Sequence, residues 1–156
     1  MSLTTAQLTT LAAAIRAETN ATLVGYRNNG QTTMIAEWYN ATSNTDAWNK
    51  AVTQSALFDT TDIAKFDNIT AGKRDAWRML MDFAPCDFTR SKVRKGVQDI
   101  WGDTDSVAVL QAGLRKATKA EVALGGSTAT TNTVAGLKLN WEGALSGDDI
   151  ASALSQ

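Results

Sequence analysis

The sequence predicts a mainly α domain, a helical bundle of about five to seven helices with a small C-terminal β-hairpin or extended arm. Three observations predict it. Apolar residues recur at helical spacing through most of the chain up to Leu124, while residues 137–141 alternate with a period of two. Ser/Thr/Asp capping residues stand before the helical runs. Finally, 156 residues with 44% hydrophobic and 20% charged content match an ordinary soluble domain with its own core. The expected organisation is a helical domain over 1–125, a hairpin or docking arm over 126–142, and a C-terminal helix over 143–156 packing on the helical domain.

Leu8, Leu11, Ala12 and Ile15 share one helical face behind Thr4 and Gln7, a capping-box pair, so a helix is expected over about 5–18. Asn20, Gly25, Asn28, Asn29 and Gly30 favour turns, so 19–31 reads as a loop. Met34, Ile35, Trp38 and Tyr39 mark a short amphipathic helix. Ala47, Trp48, Ala51 and Val52 repeat the pattern, with Asn44 or Thr45 as cap. Ile63 and Phe66 anchor one helical turn. Thr70 caps a helix bearing Ala76, Trp77, Leu80 and Met81, which ends ahead of Pro85, the only proline.

A second capped helix begins at Thr89 or Ser91, carries Val93, Val97, Ile100 and Trp101, and stops at Gly102. A third opens at Thr104 or Asp105, turns Val107, Leu110, Leu114 and Ala117 inward, and reaches Leu124 before Gly125-Gly126 breaks it. Leu137, Leu139 and Trp141 then alternate with Lys138, Asn140 and Glu142, with Ala135-Gly136 as turn, so residues 128–142 read as a hairpin. Ser146 and Asp149 form another capping box before a last helix containing Ile150, Ala153 and Leu154.

Composition narrows the chemistry. With no histidine, neither Ser-His-Asp nor Cys-His catalysis is available, and His-based metal sites are excluded. The single cysteine, Cys86, closes no intrachain disulfide and builds no Cys cluster, which suits a reducing compartment. Residues 1–14 lack a basic n-region, so neither a signal peptide nor a membrane span is expected, and synthesis in the cytoplasm follows. Gly72-Lys73 lacks the upstream glycine and following hydroxyl of a phosphate loop, because Asp67 and Arg74 stand there. Asp103 and Asp105 lack the remaining ligands of a calcium loop and suit a helix start. The pairs Asp59/Asp62 and Asp148/Asp149 come without an apolar setting that would separate their pKa values, so capping is their expected work. Three Asn-x-Thr triplets, at Asn20, Asn40 and Asn68, read as coincidence in an Asn/Thr-rich chain. No catalytic residue, cofactor or metal site is expected.

The net charge of -1 provides no global attraction for nucleic acid or an anionic membrane. The middle of the chain is nevertheless basic. Arg90, Lys92, Arg94 and Lys95 are the candidate site residues: the last three fall off the Val93-Val97-Ile100 face and are free for an acidic partner or for nucleic-acid phosphates, and the plainer alternative is a solvated helix face. Five tryptophans, Trp38, Trp48, Trp77, Trp101 and Trp141, suit core anchors, with room for one or two at a subunit contact. Leu137, Leu139 and Trp141 form an apolar strand face ready for a partner.

The segments Leu3-Thr-Thr-Ala-Gln-Leu8, Ile69-Thr-Ala-Gly-Lys-Arg-Asp-Ala-Trp77 and Lys92-Val-Arg-Lys-Gly-Val-Gln-Asp-Ile-Trp-Gly102, with Ala117-Thr118, Glu121 and Trp141-Glu-Gly143, carry a resemblance. Over nearly the whole chain the sequence resembles small tailed-bacteriophage proteins of the virion structural region, most of all the head-to-tail connector family, also called adaptor or head-completion proteins. The matching segments are packing and turn patterns without chemistry. The resemblance implies a mostly helical bundle, a non-enzymatic structural protein of the neck, with an arm that docks on neighbouring subunits or on the portal, for which residues 126–142 with Leu137, Leu139 and Trp141 are the candidates. It implies a homo-oligomeric ring of about twelve copies docked on the portal protein and on tail or other neck proteins. It also implies non-specific passage of genomic DNA through the channel, which makes Arg90, Lys92, Arg94 and Lys95 candidates for a subunit interface or the channel wall, no membrane, and a place at the head–tail junction of the virion after synthesis in the host cytoplasm. The alternatives are a tail-completion or capsid-decoration protein, a small nucleic-acid-binding module, and a small enzyme.

Overall fold

The computed structural model describes residues 3–156. It overturns the expected fold class. Among the described residues there are nine helices, 58% of the chain, and a four-stranded mixed sheet, 17%, so the protein is α/β and not a mainly α bundle with a small hairpin. The strand order is β2-β1-β4-β3, formed by Thr42–Trp48 (β1), Leu114–Thr118 (β2), Gly126–Thr131 (β3) and Val134–Leu139 (β4). β1 and β4 run parallel, with Ala47 opposite Leu137. The two residues Asn132-Thr133 join β3 to β4, a link short enough only for an antiparallel hairpin. Asn132 takes φ 57°, as such a turn requires.

The chain forms two compact units. The first takes the chain up to Thr45, then Lys116–Ser127 and Leu139–Gln156. Its helices are α1 (Thr5–Ala17), α2 (Ala21–Asn28), α3 (Thr32–Asn40), α8 (Lys119–Ala123) and α9 (Gly147–Leu154). The capping boxes Thr4/Gln7 and Ser146/Asp149 open α1 and α9 as their spacing predicts. Leu11, Ile15, Leu23, Ile35, Tyr39 and Ile150 are buried together, and each such aliphatic side chain contributes roughly 1.5–3 kcal/mol.

The second unit takes Asp46–Arg115 and Thr128–Lys138. It holds α4 (Gln54–Asp59), α5 (Ile63–Asn68), α6 (Ala71–Asp82) and α7 (Ser91–Ala112). Thr70 caps α6 as expected, accepting from Lys73 N–H. The backbone of α7 breaks at Gly102, where φ is 79°, so the helix end expected there is present as a kink. Trp48, Leu57, Trp77, Phe88, Val97 and Leu110 form the core of this unit.

Three expected elements are corrected. The loop over 19–31 is helix α2, because Asn20, counted as a turn former, caps it by accepting from Thr22 and Leu23 N–H. Residues 44–52 hold no helix. Thr42–Trp48 is a strand flanked by β2 and β4, and the ladder satisfies a backbone whose Thr/Ser/Asn content favours helix poorly. The helix expected to reach Leu124 ends at Gly113. There the Phe88 ring leaves no space for a side chain, and the Gly113 carbonyl accepts from Asn49 N–H at 2.9 Å. Thr118 and Glu121 then open α8 with a further capping box.

Candidate functional site

The basic segment lies at the start of α7. Ahead of it Asp87 accepts from the Thr89 N–H at 3.0 Å and from the Thr89 hydroxyl, and pairs with Arg90 Nε at 3.2 Å. Burial alone would raise the Asp87 pKa, but the Thr89 donors and Arg90 outweigh it and hold the carboxyl below its ordinary value. Arg90 is therefore tied to the turn that feeds the helix.

Arg94 departs from expectation. It is not free on an open helix face but buried, with only 4% of its surface exposed. Nη1 donates to the Phe88 carbonyl at 2.6 Å, Nε donates to Thr131 Oγ1 at 3.0 Å, and the guanidinium lies 4.7 Å from the centre of the Trp48 ring. Burial lowers its pKa, and the charge of Asp87 opposes that shift. The covered side of α7 is thus wider than the Val93-Val97-Ile100 stripe, because Thr131 of β3 and Trp48 of β1 lie over the neighbouring position. Lys92 and Lys95 remain exposed, Lys95 paired with Asp99 at 3.1 Å. Lys92, Arg94 and Lys95 line one cleft with Ser91, Gln98, Thr130, Thr131 and Asn132.

The docking-arm candidates are also placed differently. Leu137 sits in β4, a strand flanked by β1 and β3, so its backbone is already paired on both sides. Leu139 ends that strand, half-buried, and Trp141 is 7% exposed among the core residues of the first unit. A free apolar face is not available from these three. The alternation that suggested an arm is the period of a strand paired within a sheet, whose successive side chains point to opposite faces.

Sequence reasoning missed a different surface. Phe58, Ile63, Met79 and Phe83 are large apolar side chains at 59%, 57%, 59% and 75% exposure. Phe58 and Ile63 border one groove with Phe66, Trp77 and Met81 beneath, while Met79 and Phe83 border another with Pro85, Val93 and Ile100. The available signal was phase. Phe58 follows buried Leu57, and Met79 follows buried Trp77 by two positions, which places each off the buried face of its own helix.

In the first unit Lys119 Nζ stands 3.6 Å from the centre of the Trp38 ring, in a cleft lined also by Glu18, Tyr39 and Ser43. Burial, reinforced by the charge of Glu18 and opposed by Arg27, pushes the Tyr39 phenol up to about 12. Of the carboxylates singled out above, Asp62 caps α5 and Asp149 caps α9 through Ser146. Asp105 pairs with Lys65 at 2.7 Å. Among the described residues no three His, Cys, Asp or Glu side chains gather as a metal site, and no helix is long and apolar enough to cross a membrane. No family model, curated protein or solved structure matches the chain.

Proposed function

We propose that the chain is a non-enzymatic structural protein of a tailed-bacteriophage virion, a head-to-tail connector that assembles as a ring between portal and tail around the DNA channel. The observation that carries this reading is the exposed apolar set Phe58, Ile63, Met79 and Phe83. Side chains of this kind, kept in water by an isolated molecule, are those that a subunit contact covers. The sequence resemblance supplies the setting, and a second copy of the chain is the occupant that a ring requires. Burial of Arg94 removes one side chain from any recognition face on α7, which weighs against the sequence-reading nucleic-acid module.

Electron microscopy of the purified protein, alone and mixed with portal, tests the proposal. Rings seated on the portal are the expected result. Labelling across the capsid lattice would replace the connector with a decoration protein, and attachment only to the tail end would make it a tail-completion protein.

A further inference from the structure

We propose that the cleft at the start of α7 is an oxyanion site that takes a phosphate group. The argument begins with a buried charge. Arg94 is 96% buried by its 4% exposure, yet among the described residues no carboxylate stands within ion-pair distance: the charge of Asp87 reaches it only from farther off, its two hydrogen-bond partners are a neutral carbonyl and a neutral hydroxyl, and its third contact is the Trp48 ring. A guanidinium removed from water is costly unless an anion answers it. Its Nη2 makes no hydrogen bond among the described residues, and the side chain lines the cleft.

Three further features converge on the same place. The 22-residue helix α7 carries no side-chain cap at its N-terminus, so Ser91 and Lys92 present backbone N–H groups there without intrahelical partners. Lys92 adds an exposed ammonium group, Lys95 a second that is paired with Asp99, and Ser91, Thr130 and Thr131 add hydroxyls. No carboxylate lines the cleft: Asp87 is held by Thr89 and Arg90, and Asp99 by Lys95. Its volume of about 320 Å³ admits a phosphate with several waters, each of which occupies about 30 Å³ in the liquid. A fixed buried fork with ammonium groups at the rim suits a tetrahedral oxyanion better than a flat apolar ligand. The site does not depend on the connector reading. It takes the phosphate of a nucleic-acid backbone or a free phosphate with the same chemistry.

The test uses the full chain and inorganic phosphate. Phosphate should raise the unfolding temperature along a saturating curve, since a ligand bound only by the folded state stabilises it by mass action. Calorimetric titration should give one site. Lys92→Glu, at an exposed position, should weaken phosphate at least about tenfold while leaving the unfolding temperature in phosphate-free buffer unchanged. Lys73→Glu, which makes the same charge change on α6 away from the cleft, should bind as the parent does. A stabilisation that never saturates, or equal weakening by both variants, would overturn the site in favour of general charge screening. A fluorescent single-stranded oligonucleotide identifies the source. Binding that inorganic phosphate displaces and Lys92→Glu abolishes assigns the site to a nucleic-acid backbone. Phosphate binding without oligonucleotide binding assigns it to a free phosphate. Oligonucleotide binding indifferent to both phosphate and Lys92→Glu would count against the cleft.

Discussion

Asn40 and Leu145, 105 positions apart, are joined as two strands would be. Asn40 Nδ2 donates to the Leu145 carbonyl at 2.8 Å, and the Leu145 N–H donates to Asn40 Oδ1 at 2.7 Å. The side-chain amide at the end of α3 thus reproduces a peptide group and fixes the segment that enters α9. Asn40→Leu removes both bonds and leaves a backbone donor and acceptor unanswered beside the core. The expected loss is about 2–4 kcal/mol, read by urea unfolding.

At Gly113 the constraint is steric. A Cβ there would lie 2.1 Å from Phe88 Cδ1, while the backbone, at φ -75°, suits any residue. Gly113→Ala should therefore cost about 1–3 kcal/mol through overpacking alone. Phe88→Ala/Gly113→Ala should be less destabilised than the two single variants added together, because truncation at Phe88 removes the Cγ, Cδ1 and Cε1 that the new Cβ would strike. Strict additivity in a denaturant series would mean that the ring moves aside without cost.

Trp77 and Trp101 meet edge to face, with centroids 5.3 Å apart and planes at 81°. Each is buried in the second unit, so truncation to Ala should cost about 3–5 kcal/mol. The double-mutant cycle should return a coupling of about 0.5–1.5 kcal/mol for the ring pair. A coupling of zero would reduce the pair to two independent anchors.

Tyr39 gives the alkaline prediction. Its phenol is raised from 10.0 to about 12, so above pH 10 the unfolded chain releases this proton while the folded chain retains it. Stability from this group is complete below pH 10 and falls progressively as pH rises towards 12. Ultraviolet absorbance titration should show a late phenolate component that Tyr39→Phe removes, and that variant should lose stability less steeply over the same interval.

Met79→Glu and Phe83→Glu place charge on an already solvated surface, so each should unfold within about 0.5 kcal/mol of the parent. If the ring contact uses this surface, both variants should sediment as monomers at concentrations where the parent is assembled. Unchanged sedimentation of the double variant would move the contact elsewhere.

Local chemistry was legible where one residue type answered one backbone need. Thr4 with Gln7, Thr70, and Ser146 with Asp149 announced their helix starts through side chains that satisfy orphan N–H groups. What escaped was decided by partners distant in the chain. Ala47-Trp48 and Leu114–Thr118 carry apolar patterns that suit a helix equally well, and only their neighbours in the sheet make them strands. The capping box of Thr118 and Glu121 was readable, yet the apolar phase running past Gly113 hid it. At the candidate site, charge and spacing found the basic segment. The burial of Arg94 depends on Trp48 and Thr131, which no spacing near residue 94 reveals.

The interleaving of the two units in the sequence governs the order in which the protein can be made. The first unit begins before the second in sequence, but its Trp141 and α9 come after the whole of the second, so Leu154 must be synthesised before that core can close. Helices α1 and α3 therefore wait without their partners α8 and α9 through the synthesis of everything between. The second unit is complete in sequence once Lys138 has emerged, and so is the first able to fold during translation. Its connections make it slower than a bundle of the same size, because β4 must find β1 across some ninety residues. Deleting α9 would thus damage the unit that was begun first.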